Sequence, residues 1–588
     1  MALTSGLSAM TLGTVTVKTP YSMLASFNLT NPCVFWQPEP PQELAAGPLN
    51  AVPRVAPLST YSQDVTFFNL HLHFIFPQPW KIGLEDVSFR GLPPVYASVG
   101  KRCRFSGKSV DEVKENHALI KKKTENHAST QMDQRKGRRL VLFPLPLQGH
   151  ISPMLQLANI LHSQGFTITI IHTSFNSPNP SSHPHLTFHF IQENLSESEA
   201  STDDLVAFVS LLNTKCLVPF RDCLAKLLAD VEEEPIACLI SDAMLPFTQA
   251  VADSLKLPRI VLRTGGASSF VVFAAFPLLK ERGYFPIQDS KGQEPVVELP
   301  PLKIKDLPVI NTRDPETLYE IVNGMVDGAK VSSGIIWNTF EDLEESALAT
   351  LRQQFSIPIF PIGPFHVCIP ASPSSLLTQD QSCIAWLDKQ APKSVIYVSF
   401  GSIAAVSEAE FLEIAWGLAN CKLPFLWVVR PGLTRGSDCL EPLPSGFMEM
   451  VDGRGHLVKW APQQEVLAHP AVGAFWTHNG WNSTLESICE GIPMICMPCF
   501  TDQKVNARYV SDVWKVGLQL ENGLKREEIE KTIRRVMVEK QGEEIRSRIF
   551  RLKEKANHSW KQGRSSFESI NSLVTHILSL ETFTFHTQ

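Results

Sequence analysis

The chain has 588 residues and a mass of 65.5 kDa, which is too long for one domain and suits two to four. Its 53 basic and 59 acidic side chains give a net charge of −6, without the clustered basic excess of a nucleic-acid-binding protein. Apolar residues make up 44% of the chain, and no apolar run approaches the roughly 18 residues of a membrane span. We therefore expect a soluble, multi-domain protein with no nucleic-acid partner and no membrane span.

Residues 1–131 lack the pattern of a folded domain. Prolines cluster between Pro32 and Pro57, and the short apolar pieces recur at no regular spacing. The acid-free start is typical of a transit peptide, but it contains a single basic residue, Lys18, and no arginine. We interpret 1–131 as a leader without a recognisable domain, disordered or non-native, and expect Met132 to be the functional start.

After residue 138 the chain alternates apolar runs of strand type with amphipathic helical runs. Residues 140–145 predict a short strand, 151–163 a helix and 166–171 the next strand. Strand-like runs at 236–240 and 259–262 continue the alternation. The pattern predicts a parallel, doubly wound sheet.

A Pro- and Ser-containing segment, 361–375, reads as a linker, and the alternation then restarts. The predicted elements of the second half are strands at 394–400, 425–429, 474–477 and 493–497 and helices at 408–418 and 483–490. The predicted fold class is α/β, with two Rossmann-like, doubly wound parallel-sheet domains, 132–370 and 371–565, and a C-terminal helix and tail, 566–588. Ligands bind such sheets outside the carboxyl ends of their strands, so we expect a central cleft there.

The common nucleotide and metal motifs are absent. There is no Gly-x-Gly-x-x-Gly, no phosphate loop ending in Gly-Lys-Ser/Thr, and no Asp-x-Asp to hold a metal against a diphosphate. The strand that ends at Thr477 leads through Gly480 into a helix that Asn482 or Ser483 is expected to cap. A helix start of this kind binds phosphate through backbone N–H groups, although a plain strand-turn-helix explains these residues equally well.

A longer stretch decides between these alternatives. Residues 460–503, 44 in all, begin Trp-Ala-Pro-Gln-Gln, contain His-Asn-Gly-Trp-Asn-Ser at 478–483 and end in Asp502-Gln503. This stretch resembles the signature box of plant family 1 UDP-glycosyltransferases, and the resemblance extends from about residue 138 to about 580. It includes 148–154 and 398–402 and is strongest to the subgroup that acts on terpenoids, flavonoids, cytokinins and related small molecules.

The resemblance implies the two-domain fold called GT-B, with the acceptor held by the N-terminal half and UDP-glucose by the C-terminal half. Trp460 is expected to stack on uracil with Gln463 nearby, and Glu486 to accept from the ribose hydroxyls. The diphosphate is assigned to Ser402, His478, Asn482 and Ser483. The sugar is assigned to Trp481, Asp502 and Gln503.

For catalysis, an acceptor hydroxyl needs a general base, and His150 follows the first strand, where a site residue is expected. Taken alone, a His at a helix start is more often a polar cap than a base, and Asp242, after another strand, could be the N-cap of the following helix. The resemblance implies that His150 is the base and that Asp242 orients it. The implied reaction is a single displacement with inversion, giving a β-glucoside and UDP without a cofactor or metal.

Two departures from the family pattern are Asn479, where many members have Cys, and Thr501, where Gly or Ser is frequent. Gln503 favours UDP-glucose over UDP-galactose. We expect Leu147, Met244 and Phe270 to contribute to acceptor binding, and we expect a cytoplasmic monomer. Alternatives that remain open are another UDP-sugar, an N or carboxyl acceptor, and a non-catalytic UDP-sugar-binding protein.

Overall fold

The computed structural model describes residues 138–310, 312–369, 375–435, 443–521 and 523–580, and the backbone of three short strands nearer the N-terminus. Those strands, β1 (Val15–Lys18), β2 (Leu24–Phe27) and β3 (Val87–Phe89), form an antiparallel sheet in the order β2-β1-β3. They belong to one compact unit, Met1–Thr124, and the second unit is Glu125–Gln588. Each strand has only three or four residues. Strands this short give no recognisable alternation of apolar and polar residues, which is why the sequence did not predict them. The rest of the predicted leader lies outside the described residues, so its disorder and the start at Met132 stay predictions.

The N-terminal half of the second unit is built on a seven-stranded, all-parallel sheet in the order β10-β9-β8-β7-β4-β5-β6. Its strands are β4 (Arg139–Phe143), β5 (Thr167–Thr173), β6 (Thr187–Ile191), β7 (Ile236–Asp242), β8 (Arg259–Arg263), β9 (Gly334–Trp337) and β10 (Ile359–Pro361). The central strands β4, β7 and β8 are buried at every residue because helices cover both faces, which explains their continuous apolar runs.

Helices surround this sheet. They are α1 (Gln148–Ser163), α2 (Glu197–Ala200), α3 (Leu205–Lys215), α4 (Leu217–Ala229), α5 (Phe247–Ser254), α6 (Ala267–Ala274), α7 (Phe276–Glu281), α8 (Pro315–Lys330), α9 (Glu341–Gln354) and α10 (Phe365–Cys368). Single 3₁₀ turns lie at Pro180–Ser182, Asp289–Lys291 and Ile304–Asp306. Helix α1 begins at Gln148, earlier than predicted, so His150 lies in its first turn and not in the preceding loop.

The C-terminal half has a six-stranded parallel sheet in the order β13-β12-β11-β14-β15-β16. Its strands are β11 (Val395–Ser399), β12 (Phe425–Val428), β13 (Gly455–Val458), β14 (Val472–Thr477), β15 (Met494–Cys496) and β16 (Gly517–Gln519). Its helices are α11 (Ser382–Leu387), α12 (Glu408–Cys421), α13 (Phe447–Val451), α14 (Gln463–Ala468), α15 (Trp481–Glu490), α16 (Asp502–Arg508), α17 (Arg526–Met537) and α18 (Lys540–Ser559), with a π turn at Tyr509–Val513. The predicted α/β class with two doubly wound sheets is confirmed.

The last helix, α19 (Ser565–Ser579), returns to the N-terminal sheet. Its apolar face joins the core formed by β4, α1 and β10. The Nε2 of His576 lies 2.7 Å from the backbone oxygen of Ser333 at the start of β9. The last described helix therefore packs on the N-terminal half, although it follows the C-terminal half in the chain.

A buried ion pair joins the two halves. The carboxylate of Asp306 accepts from Nε and Nη2 of Arg508 at 2.8 and 3.2 Å, and both side chains are 1% exposed. Arg508 also donates to Asp512 and to Glu521, and Glu521 accepts from Lys305 of the N-terminal half. Within the described residues, no helix is long and apolar enough to cross a membrane.

Candidate active site

A cavity of about 620 Å³ opens between the two halves, at the carboxyl ends of both sheets. The N-terminal half contributes the start of α1, the end of β8 and parts of α3, α6 and α8. The C-terminal half contributes the loops after β11 and β14 and the starts of α14, α15 and α16. Of the sequence-predicted residues, His150 and all ten assigned to the donor line this cavity: Ser402, Trp460, Gln463, His478, Trp481, Asn482, Ser483, Glu486, Asp502 and Gln503.

His150 and Asp242 form a hydrogen-bonded pair, although 92 residues separate them in the chain. The Nδ1 of His150 lies 2.7 Å from Oδ2 of Asp242. The imidazole is 21% exposed, towards the cavity, whereas Asp242 is fully buried behind it. Because an ionised carboxylate only accepts hydrogen bonds, Nδ1 is the donor to Asp242, and Nε2 is the ring nitrogen left for the cavity.

The surroundings of Asp242 keep it ionised. Burial by itself raises the pKa of a carboxyl group, but the charge and hydrogen bond of His150 and the backbone N–H of Met244 outweigh burial, so the pKa of Asp242 is lowered. The hydroxyl of Thr264 also contacts the imidazole, 3.0 Å from Nδ1 of His150. Asp242 is not a helix cap, because α5 begins at Phe247.

The start of α15 differs from the predicted cap. Its N-cap is Gly480, and no side chain caps the helix, so the prediction that Asn482 or Ser483 does so is wrong. Asn482 instead donates to the backbone oxygen of Gly149, at 2.9 Å, and the hydroxyl of Ser483 accepts from Gln463, also at 2.9 Å. The first backbone N–H groups of α15 are therefore left without a side-chain cap, beside the cavity.

The imidazole of His478 lies tightly between two glycines. A Cβ added at Gly401 or at Gly480 would come within 2.6 Å of its ring. Burial and the nearby Arg430 lower the pKa of His478 to about 4, so the ring is neutral at pH 7. Arg430 itself donates to the backbone oxygens of Gly401 and Ala404 and so anchors the loop that carries Ser402.

Glu486 lies at the other end of the donor side. It accepts from Gln463 at 2.7 Å and from Gln464 at 2.9 Å. Burial raises its pKa, and these two amides oppose the shift. Trp460 lines the cavity nearby and donates its indole N–H to the hydroxyl of Ser375 at 2.9 Å.

The residues assigned to the sugar have different surroundings. The indole of Trp481 is 4% exposed and donates to the backbone oxygen of Asn338, so the ring packs between the halves. The side-chain oxygen of Gln503 accepts from the N–H groups of Cys499 and Phe500 at 2.9 and 3.2 Å. Asp502 accepts from the hydroxyl of Thr501 at 3.0 Å and from Asn506 at 3.2 Å.

The two departures from the family pattern have distinct structural meanings. Asn479 has a φ of 60°, which Asn tolerates, and its buried amide faces Cys496 at 3.3 Å, away from the cavity. Thr501 has φ 48° and ψ −137°, a conformation that a β-branched residue rarely adopts. A glycine would adopt it without strain.

Among the expected acceptor residues, Leu147 and Met244 line the cavity and Phe270 does not. Phe270 is 1% exposed and packs against Trp337, so that expectation is wrong, and Phe273, one helical turn further, takes its place. Sequence reasoning also missed Thr264 and Arg263. Both lie at the carboxyl end of β8, and that position was the available signal.

Metal ligands are not grouped in the described part of the chain. No three His, Cys, Asp or Glu side chains there are close enough to hold an ion together. The expected metal-free reaction stays a prediction.

Several known proteins are similar to this chain over most of its length. The family described as "UDP-glucoronosyl and UDP-glucosyl transferase" matches residues 154–554. UDP-glycosyltransferase 76B1 of Arabidopsis thaliana is 54% identical over 449 residues, which cover 76% of this chain and 100% of the relative. Flavonol 3-O-glucosyltransferase UGT76E12 of the same plant is 46% identical, over 76% of this chain and 99% of the relative.

Solved structures show the same architecture. UGT2 of Phytolacca americana, complexed with UDP-2fluoro-glucose and pterostilbene, is 27% identical with a TM-score of 0.63, over 75% of this chain and 99% of that one. Os79 of O. sativa, in complex with UDP, is 26% identical with a TM-score of 0.64, over 74% of this chain and 100% of that one.

Proposed function

The chain belongs to the UDP-glucoronosyl and UDP-glucosyl transferase family and has the GT-B fold, and from that premise we propose that it transfers glucose from UDP-glucose to a hydroxyl of a small plant metabolite. The transfer inverts the anomeric centre and gives a β-glucoside. The observation that carries this proposal is the pair of His150 and Asp242, which opens onto the same cavity as the donor residues.

In the proposed reaction, the acceptor oxygen attacks the anomeric carbon while its proton passes to Nε2 of His150. The bond between the anomeric carbon and the phosphate oxygen breaks, and UDP leaves with the electron pair. The buried carboxylate of Asp242 then stabilises the imidazolium, 2.7 Å away. A neutral alcohol is a weak nucleophile, so this proton transfer accelerates the step by about 10²- to 10⁴-fold.

On the donor side, we assign uracil to Trp460, the ribose to Glu486 and the diphosphate to the start of α15. Developing negative charge on the departing diphosphate is stabilised by the uncapped N–H groups of α15, by Ser402 and Ser483, and by neutral His478. These fixed dipoles supply the anion site, and the reaction as proposed needs no metal. Asp502 and Gln503 are assigned to the sugar hydroxyls.

The choice of glucose is supported by Gln503 and by relatives whose names specify glucose transfer, among them the flavonol 3-O-glucosyltransferase. The choice of a hydroxyl acceptor is supported by the base itself, because a carboxylate acceptor is already ionised and needs His150 less. A cytoplasmic location and a monomeric state stay predictions, which cell fractionation and light scattering would test.

The full chain should be assayed with UDP-glucose, UDP-galactose and UDP-xylose against a panel of phenols, alcohols, amines and carboxylic acids. We expect UDP release and a β-glucoside with UDP-glucose and a hydroxyl acceptor, the anomer being assigned by NMR. An α-linked product, a preference for another donor, or a preference for amines would contradict the finer proposal. Binding of UDP-glucose without product from any acceptor would indicate a non-catalytic binding protein.

A further inference from the structure

Arg263 is a buried cation that the proposed reaction does not use. It ends β8, it is 5% exposed, and it lines the cavity. Its Nε is buried without a hydrogen-bond partner, and the described residues place no carboxylate in an ion pair with it. A guanidinium taken out of water is costly unless it is paired, and it stays charged at neutral pH.

The neighbours of Arg263 stabilise it only in part. The ring centroids of Phe270 and Phe273 in α6 lie 5.8 and 5.5 Å from the guanidinium carbon of Arg263, and both rings contribute cation–π attraction. The charges of Asp502 and Asp242 oppose the lowering of its pKa by burial, but each carboxylate already has other partners. Asp242 is bonded to His150, and Asp502 to Thr501 and Asn506.

The space beside the guanidinium is kept open by a glycine. A Cβ added at Gly265 would lie 3.0 Å from Nη2 of Arg263 and 3.4 Å from Oδ2 of Asp502. Gly265 also lines the cavity, so any side chain at this position would fill the room in which a ligand group meets the arginine. Because Arg263 and Gly265 both line the cavity, the missing side chain at position 265 leaves room for a ligand group next to Nη2 of the arginine.

We propose that Arg263 binds a carboxylate of the acceptor, so that the preferred acceptors are small hydroxy acids whose hydroxyl reaches His150. This inference rests on the proposed function. Thr264, next in the chain, lies 3.0 Å from Nδ1 of His150, and both Arg263 and His150 line the cavity. The acid group stays free in the product, because the hydroxyl loses its proton to His150 and forms the new bond to the sugar.

The apolar wall favours the acceptor as the source of the carboxylate. Phe273, Met244 and Leu147 line the cavity on the side of the N-terminal half, to which Arg263 also belongs. A uronic acid on the donor sugar has the same chemistry and could reach the arginine from the side of Asp502. Assays that place the carboxylate either on the acceptor or on the donor sugar distinguish these two cases.

The test compares 3-hydroxyphenylacetate with its methyl ester, which keeps the hydroxyl and removes the charge. Binding to the full chain with UDP present is measured by calorimetry, and kcat/KM is measured with UDP-glucose. We expect the wild type to prefer the acid and the acid-to-ester ratio to fall about 10- to 100-fold in Arg263→Met. Arg263→Lys, which keeps the charge, should give an intermediate acid-to-ester ratio. It replaces the Met variant in this comparison if that variant fails to fold.

Arg313→Met is the matched control, because its side chain is 88% exposed and outside the cavity, and its ratio should equal that of the wild type. An acid-to-ester ratio that is the same in Arg263→Met and in the wild type overturns the proposal. So does an Arg263-dependent preference for UDP-glucuronate over UDP-glucose with the ester as acceptor, because the donor would then supply the carboxylate. If the acid binds through Arg263 but no acceptor is turned over, the proposed function fails and the anion site stands.

Discussion

The side-chain N–H of Asn482 donates to the backbone oxygen of Gly149 at 2.9 Å, and this bond joins the start of the donor helix α15 to the first turn of α1. Gly149 precedes His150 in the first turn of α1, so the residue assigned to the diphosphate also positions the helical turn that carries the base. We expect Asn482→Ala to lower kcat about fivefold, the value of one hydrogen bond of about 1 kcal/mol. UDP affinity should change little, because the amide N–H of Asn482 is already donated to Gly149. Steady-state kinetics and calorimetry with UDP check this. A large loss of UDP affinity at unchanged kcat would restrict Asn482 to the diphosphate.

Replacing the base should abolish transfer without affecting donor binding. His150→Ala is expected to lower kcat about 10²- to 10⁴-fold, whereas Asp242→Asn should cost less because the imidazole remains. UDP affinity should stay at the wild-type value in both, since neither residue is assigned to the donor. Activity of His150→Ala within a few-fold of the wild type would show that His150 is not the base.

Because His478 packs tightly against two glycines, adding a single methyl group at one of them should displace its ring. Gly480 has an ordinary φ of −55°, so Gly480→Ala adds a contact at 2.6 Å to the imidazole without straining the backbone. The ring must move, and we expect UDP affinity to fall at least about tenfold. Gly324→Ala is the control, because its Cβ would meet Pro246 at an ordinary 3.4 Å. Equal UDP affinities of the two variants would contradict the role of His478.

Thr501 stores backbone strain beside the proposed sugar site. Its φ of 48° with ψ of −137° favours glycine, so Thr501→Gly should raise the free energy of unfolding by about 1 kcal/mol. Thr501→Ala is the control: it loses the same hydroxyl contact with Asp502 but keeps the Cβ, and we expect no gain. Chemical denaturation measures both. A Gly variant no more stable than the Ala variant would exclude strain at this position.

Acid should weaken the contacts between the halves. Burial raises the pKa of Glu521, but Lys305 and Arg508 outweigh burial and lower it from 4.5 to about 2. Because the unfolded chain takes up this proton first, the stabilisation is present above about pH 4.5 and is lost as the pH falls towards 2. Urea unfolding of Glu521→Gln should therefore depend less on pH between 4.5 and 3 than that of the wild type.

The control for this comparison is Glu527→Gln, which removes an exposed carboxylate in the first turn of α17. We expect its pH dependence to match that of the wild type. If Glu521→Gln loses stability with acid as steeply as the wild type does, the ion pairs of Glu521 do not connect the halves under these conditions.

The sequence by itself determined the two parallel sheets and the identity of most site residues. The strands that carry the site are buried on both faces and therefore read as apolar runs, and the site residues follow where those runs end. Gly491 ends α15 as a local signal, whereas the predicted helix start at residue 483 lies two residues after the observed one, because no side chain caps this helix. That is why His150, Asp242 and the stretch 477–491 could be found without coordinates.

Only the tertiary structure decided how these groups act. His150 meets Asp242 across 92 residues, and Asn482 meets Gly149 across 333, so neither contact leaves a local pattern. Packing turned the indole of Trp481 towards Asn338 and left the buried cation Arg263 facing the cavity. Side-chain direction and charge pairing depend on which surfaces of the two halves pack together. Local sequence patterns do not show this, because the contacting residues lie far apart in the chain.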